Sequence, residues 1–143
     1  MLTVGHSGDL LSVEVESQIE EFLNGMSVKY QKEEGVIASL WKVGDGEYWV
    51  FVLVGDDWVA IRTTILESEK VPESAEFYRA LLNAHYTLAE VRYDVDEEGN
   101  LGSSKTIPVS GMNKEIFASE FNSVVFAIDY FRQEIAPKFG IEP

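Results

Sequence analysis

The rhythm of apolar positions changes along the chain, and each rhythm predicts an element. From Val13 to Met26, the residues Val15, Ile19, Phe22, Leu23 and Met26 fall on one face of a helix, at the spacing a period of 3.6 requires. Asn24-Gly25 marks its end, since both residues tolerate the left-handed cap conformation. Strand patterns follow. A short strand opens at Val28 and Tyr30 and turns at Glu34-Gly35. Val36 to Val43 and Glu47 to Val54 come next, separated by Asp45-Gly46, and Gly55-Asp56-Asp57 leads into a fourth run, Trp58 to Ile65. Asp-Gly between strand-like runs signals a hairpin, because both central residues of a type I′ turn need positive φ. An antiparallel meander of three to four strands is predicted.

The helical period then returns. Pro72 suits a first helical residue, and a helix from about Pro72 to Tyr86 carries Phe77, Leu81, Ala84 and Leu88 as its buried stripe. Ala89, Val91, Tyr93 and Val95 alternate with more polar residues, Asp96 to Asn100 turns, and Leu101 to Val109 forms a weaker strand. Pro108 fits an edge or a strand end better than a central position. Asn113 caps a last helix running to about Ala136, before Pro137, with Phe117, Phe121, Val124, Val125, Ile128, Phe131 and Ile135 as its stripe. Helices and strands are segregated, so the fold class is α+β: helix, antiparallel meander of 3–4 strands, helix, two strands, long C-terminal helix. One domain is expected over residues 12–137, preceded by a loose leader, 1–11, in which Gly5 and Gly8 discourage regular structure.

Composition narrows the function classes. A chain of 143 residues has the size of one domain, and 45% hydrophobic residues are too many for a disordered one. Eleven Lys and Arg against 25 Asp and Glu give a net charge of −14. That field repels phosphate backbones and anionic lipid surfaces, so neither nucleic acid nor membrane is an expected partner. It keeps the chain soluble and favours a basic client. With no cysteine, thiol catalysis, disulfides and Cys-based zinc sites are excluded. Met1 to Leu11 has no basic stretch followed by a long apolar run, and the longest apolar run, Tyr48 to Val54, is too short to span a bilayer as a helix. Cytoplasm is the expected location.

Candidate catalytic and metal motifs fail on spacing. Asp94, Asp96, Glu98 and Gly99 resemble the start of a calcium loop, with Leu101 at its apolar eighth position, but Lys105 stands where the bidentate glutamate belongs. The flanks also read as strands, so a hairpin turn explains the run better. Gly5-His6-Ser7-Gly8 resembles a nucleophile elbow, yet Asp9 replaces the final glycine and no strand precedes it. His6 and His85 are the only histidines and lie far apart in sequence, a weak basis for a metal site. His85 falls at the end of the second helix, where a cation can meet the terminal carbonyls, and Asn83 beside it reads as a cap or turn residue. Gly44-Asp45-Gly46 precedes a strand rather than the helix a phosphate loop needs. No enzyme, cofactor or metal is expected.

The third strand is the most suggestive segment. Tyr48-Trp49-Val50-Phe51-Val52-Leu53-Val54 is apolar on both faces, whereas a strand with one face in water should alternate. With a tight turn at Gly55 to Asp57, Val50 and Val52 share a face with Val59, Ile61 and Thr63. Trp49, Phe51 and Leu53 then share the other face with Ala60, Arg62 and Thr64. Three helices suffice to cover one face. The second is covered either by a helix or the N-terminal segment wrapping round, or by a partner chain. Trp49, Phe51, Leu53 and Arg62 are therefore the candidate partner or dimer surface. Trp41 cannot be assigned to a face from the turn at Gly44 to Gly46.

The order of elements and the second half of the chain resemble the YbjN-like family, which shares the fold of the type III secretion chaperones. The residues that carry the likeness are Leu81-Leu82-Asn83, the run Tyr93-Asp94-Val95-Asp96-Glu97-Glu98-Gly99-Asn100-Leu101, and the long final helix with its spaced aromatics. The topology matches over roughly residues 14–136 and the motifs over about 77–131. The resemblance implies a small, acidic, non-enzymatic domain that binds a protein partner or client segment, often as a homodimer. It implies no catalytic residues. A four-strand meander departs from the three-strand version of the chaperones. The alternative from another class is a small-molecule sensor with a Trp- and Tyr-lined pocket between sheet and helices.

Overall fold

The computed structural model describes side chains for residues 12–143. The side chains of the leader expected over 1–11, including the Gly5-His6-Ser7-Gly8 motif, lie outside the described residues, while its backbone from Leu2 runs in the first helix rather than as a loose segment. Helix α1 (Leu2–Gly25) ends at the Asn24-Gly25 stop, and Ser27 turns the chain with φ 60°. The first strand, β1 (Gln31–Glu33), begins later than Val28 and Tyr30 suggested. Val28 and Tyr30 instead pack against the core beside α1, so their apolar character serves burial rather than pairing. Strands β2 (Val36–Val43), β3 (Gly46–Val54) and β4 (Trp58–Leu66) continue the meander.

The β2–β3 turn sits one residue earlier than expected. Val43 pairs with Gly46, so Gly44 and Asp45 are its central residues, and only Gly44 has positive φ, 62°. Glycine at the first central position is the requirement of a type II′ turn rather than type I′. A side chain at Gly44 would also run into the Arg132 guanidinium, 2.9 Å from where its Cβ would stand. Arg132 in turn donates to the Tyr48 hydroxyl at 2.6 Å and pairs with Asp45, tying this hairpin to the C-terminal helix.

A 3-10 turn (Ser68–Lys70) leads to α2 (Ala75–Thr87). This helix starts three residues beyond Pro72 because Ser74 is the N-cap, its side chain accepting from Phe77 N. Strand β5 (Tyr93–Val95) is shorter than the alternation from Ala89 suggested, since Ala89 and Glu90 form a turn. After β6 (Leu101–Pro108), α3 (Lys114–Tyr130) is capped by the Asn113 side chain accepting from Ile116 N. The helical path runs past the expected end at Ala136: a π turn (Phe131–Ile135) passes into a 3-10 turn (Ala136–Phe139) that ends at Gly140, φ 66°. Pro137 falls in the first turn of that last segment, where its missing N–H costs nothing.

The six strands form one antiparallel sheet in the order β1-β2-β3-β4-β6-β5. The chain crosses over after β4, so that β6 pairs beside β4 and β5 forms the far edge of the sheet. α1 and the first half of α3 cover β2, β3 and β4 through Ile19, Leu23, Phe117 and Phe121, against Ile37, Val50, Val52, Val59 and Ile61. α2 and the π turn bury Phe77, Leu81 and Phe131 against Tyr48, Ile65, Tyr93 and Leu101. Both clusters lie on one face of the sheet, so α1, α2 and α3 occupy the same layer. Trp41 joins this inner face, its ring 5.7 Å from Phe121 and its Nε1 donating to Ser39 Oγ. Among the described residues, no helix is long and apolar enough to cross a membrane.

Candidate functional site

With the described packing of α1, α2 and α3 all on the inner face, the outer face is left to its own side chains among the described residues. Strand alternation decides which ones. The register places Val36 beside Leu53, Ala38 beside Phe51, and Leu40 beside Trp49; across the next boundary Phe51 stands beside Arg62 and Leu53 beside Ala60. Trp58 follows on the same face of β4, next to Pro108 of β6. The contrast along β3 is sharp: Val50 and Val52 are 0% and 1% exposed, while Trp49, Phe51 and Leu53 are 40%, 39% and 44% exposed. Leu40 and Trp58 extend the patch at 47% and 55%. No described helix or loop covers it.

Trp49, Phe51 and Leu53 therefore stand together at the centre of an uncovered apolar stripe, on the face the alternation assigned. Leu40 and Trp58 were not among the candidates. Trp58 was within reach, since it alternates in step with Ala60 and Arg62. Leu40 was not, because its face depends on which residues form the Gly44–Asp45 turn.

Arg62 borders the stripe but is engaged. Its guanidinium donates to Asp94 at 2.6 Å, lies 3.9 Å from Asp96, and donates to Thr64 Oγ1. Asp94 also accepts from Ser104 Oγ, which Arg92 contacts from the other side. Gly102 makes this possible: a Cβ there would collide with the Thr63 carbonyl and the Arg62 guanidinium, so only glycine lets the arginine lie flat on the sheet. The outer face thus divides into an apolar part on β2–β3, extended by Trp58 at the start of β4, and a polar, internally satisfied part around Arg62 on β4–β6–β5.

The titratable groups with shifted affinities serve structure. Asp96 closes the β5–β6 turn as an Asx residue, its Oδ1 accepting from the N–H of Glu98 and of Asn100. The Asn100 backbone bond, more than any other cause, holds its carboxyl below the usual range. The would-be calcium loop is this turn. His85 does not act as a cation at a helix end: its Nε2 accepts the Tyr93 N–H at 2.8 Å, which requires the neutral ring. Burial, then the nearby Arg92 and Lys105 charges, lower its proton affinity. Tyr93 donates its hydroxyl to the Ala127 carbonyl, and burial pushes its ionisation well above the ordinary value. The Asn83 carbonyl accepts from Thr87 Oγ1 inside the last turn of α2. Among the described residues, no group of three or more His, Asp or Glu stands where it could hold a metal ion.

Two shallow grooves flank the aromatic ridge formed by Trp49 and Phe51. One, of about 250 Å³, is lined by Gln31, Glu33, Val36, Ala38 and the two aromatics. The other, about 470 Å³, runs past Glu47, Thr64 and Glu67. A third groove, between α2 and β5, is lined by Leu81, Leu82, His85 and Tyr93 and holds about 210 Å³. That volume is below the roughly 300–1,000 Å³ usual for a small-molecule pocket.

No protein-family model matches this chain, and no curated protein matches its sequence. Solved structures do share its fold. A chain of the ExsC–ExsE complex is 14% identical, with 87% of this chain and 96% of that one covered and a TM-score of 0.64. A chain of the HopA1–SchA chaperone–effector complex is 10% identical, covering 85% and 95%, with a TM-score of 0.63. The structure of the Yersinia pestis type III secretion chaperone SycH with a fragment of YscM2 matches at 13% identity, 78% and 94% coverage and a TM-score of 0.54. At these identities the likeness establishes the fold alone: this is the type III secretion chaperone-like arrangement of helix, antiparallel sheet, helix, strands and long C-terminal helix.

Proposed function

We propose that this chain is a non-enzymatic protein-binding domain of the YbjN-like kind, an adaptor or regulator that presents the outer face of its sheet to a partner chain. The observation that carries the reading is the uncovered apolar stripe through Leu40, Trp49, Phe51, Leu53 and Trp58. A monomer gains nothing by holding two tryptophans, a phenylalanine and two leucines against water on one flat face, and contiguous patches of this kind mark interfaces. Trp49 and Phe51 supply the anchors, since large aromatic side chains dominate binding energy when an interface desolvates them. The chaperone-like fold supports the reading, because two of the structures that share it are complexes of a chaperone with another protein. The occupant is either a segment of a different protein or a second copy of this chain.

A photo-crosslinking residue placed at Trp49 tests this in living cells, with Gln133 on the C-terminal helix as the reference position. Adducts formed from position 49 and absent from position 133 support the reading, and their mass separates a second copy from another protein. Equal labelling from both positions, or none from position 49, contradicts it. The small-molecule sensor is the weaker second reading. It rests on the groove between α2 and β5, and it predicts a ligand-dependent change in the NMR signals of Tyr93 rather than in those of Trp49.

A further inference from the structure

The two grooves beside the Trp49–Phe51 ridge share one chemical character: an apolar floor with carboxylates at the rim that are in none of the described ion pairs. Glu33 lines the first, and Glu47 and Glu67 line the second. Two of the nearby cations are occupied. Lys32 points to the helical side of the sheet and pairs with Glu16 and Glu20 of α1. Arg62 is held by Asp94 and Asp96. Lys42 stands opposite Glu47 in the β2–β3 register, and Glu33 and Glu67 are in none of the described ion pairs.

Resting on the protein-binding reading above, we infer that the outer face takes a cationic amphipathic segment of another protein, with Lys or Arg stems lying along the two grooves and their charged heads at Glu33 and Glu67. Such side chains fit both walls at once. Their methylene stems cover apolar surface while the head stays at a polar rim, and a cation beside Trp49 or Phe51 gains from the face of the ring. The net charge of −14 adds long-range attraction for the same partner. A second copy is the poor occupant. Two identical outer faces would bring Glu33, Glu47 and Glu67 of each copy together, with fourteen net negative charges on either side, against which Lys42, standing opposite Glu47, is a small offset.

The test uses the whole chain and three synthetic peptides: alternating lysine and leucine, alternating glutamine and leucine, and alternating glutamate and leucine. Binding is followed by tryptophan fluorescence and by calorimetry, at low and high salt. The lysine–leucine peptide is expected to bind about tenfold or more tighter than the glutamine–leucine one, with the difference shrinking as salt rises. E33Q/E67Q should weaken it about three- to tenfold, whereas E14Q/E21Q, which changes net charge equally on exposed positions of α1, should alter it less than about twofold. Phe51→Asp should abolish it while leaving circular dichroism unchanged. Equal affinity for the lysine and glutamine peptides, lost in Phe51→Asp but unchanged in E33Q/E67Q, overturns the cationic occupant and leaves the protein-binding face standing. Concentration-dependent dimerisation that Phe51→Asp removes overturns it in favour of a second copy. Binding of no peptide in a Phe51-dependent way, with no dimer, counts against both readings.

Discussion

Within β3, neighbouring residues of nearly the same character do opposite work. Val50 and Val52 face the helices and are sealed from water by Ile19, Phe117 and Phe121, whereas Trp49, Phe51 and Leu53 face outward with no described element over them. Hydrophobicity alone does not separate the two sets; the outward three are the larger side chains. What separates them is the supply of helices, all of which the chain spends on one side. The inner face is required for folding and tolerates no charge. On the proposed reading the outer face is dispensable for folding and its apolar character serves a partner.

The comparison breaks first at the inner face. Val50→Asp places a carboxylate at a fully buried position with no partner, and Phe121→Asp does the same from α3; each should cost about 4 kcal/mol or more and abolish the urea unfolding transition. Gly102→Ala probes the polar half of the outer face. Its methyl group collides with backbone as well as with Arg62, so a loss of about 1–3 kcal/mol in urea unfolding is expected, and removing the arginine in the double variant R62A/G102A should not restore it fully. Phe51→Asp, one residue from Val50, should change stability by less than about 1 kcal/mol, the scale of strand preference at an exposed site.

The smallest effect is a pH dependence. Because the folded state holds His85 neutral, its proton affinity is lower folded than unfolded. The stability this contributes is complete above the ordinary imidazole value and is lost as pH falls through that value toward the lowered folded one. Thermal midpoints followed downward from neutral pH should decline in that window, and His85→Gln should remove the step. A midpoint unchanged from neutral to mildly acidic pH would contradict the neutral acceptor. Asp96 adds a loss of the same sign at lower pH, below the usual carboxylate range.

Much of this was legible in the residues. Period and alternation located α1, β2, β3, β4, α2, β6 and α3, because each buries one regular face. Misplaced ends share a cause: local hydrogen bonding overrode the apolar pattern. The Ser74 cap started α2 three residues after Pro72, Ser27 turned the chain before Val28 and Tyr30 could pair, and the π and 3-10 turns carried the last helical path past Ala136. At the candidate face, Trp49, Phe51, Leu53 and Arg62 were placed on one side by alternation and a tight turn alone. Leu40 required the actual turn residues, and the pairing of Arg62 required β5 to dock beside β6, a contact between residues 32 positions apart that no local pattern encodes.

The most direct test of the outer face as a partner surface is affinity capture of the tagged chain from native extract, run side by side for the unaltered protein, Phe51→Asp and E14Q/E21Q. A companion protein held in constant proportion by the unaltered chain and by E14Q/E21Q, but lost from a Phe51→Asp chain that still unfolds cooperatively, is the result predicted here. Retention of that companion by the folded Phe51→Asp chain would contradict the account, because the aromatic ridge would then be exposed for a reason other than binding.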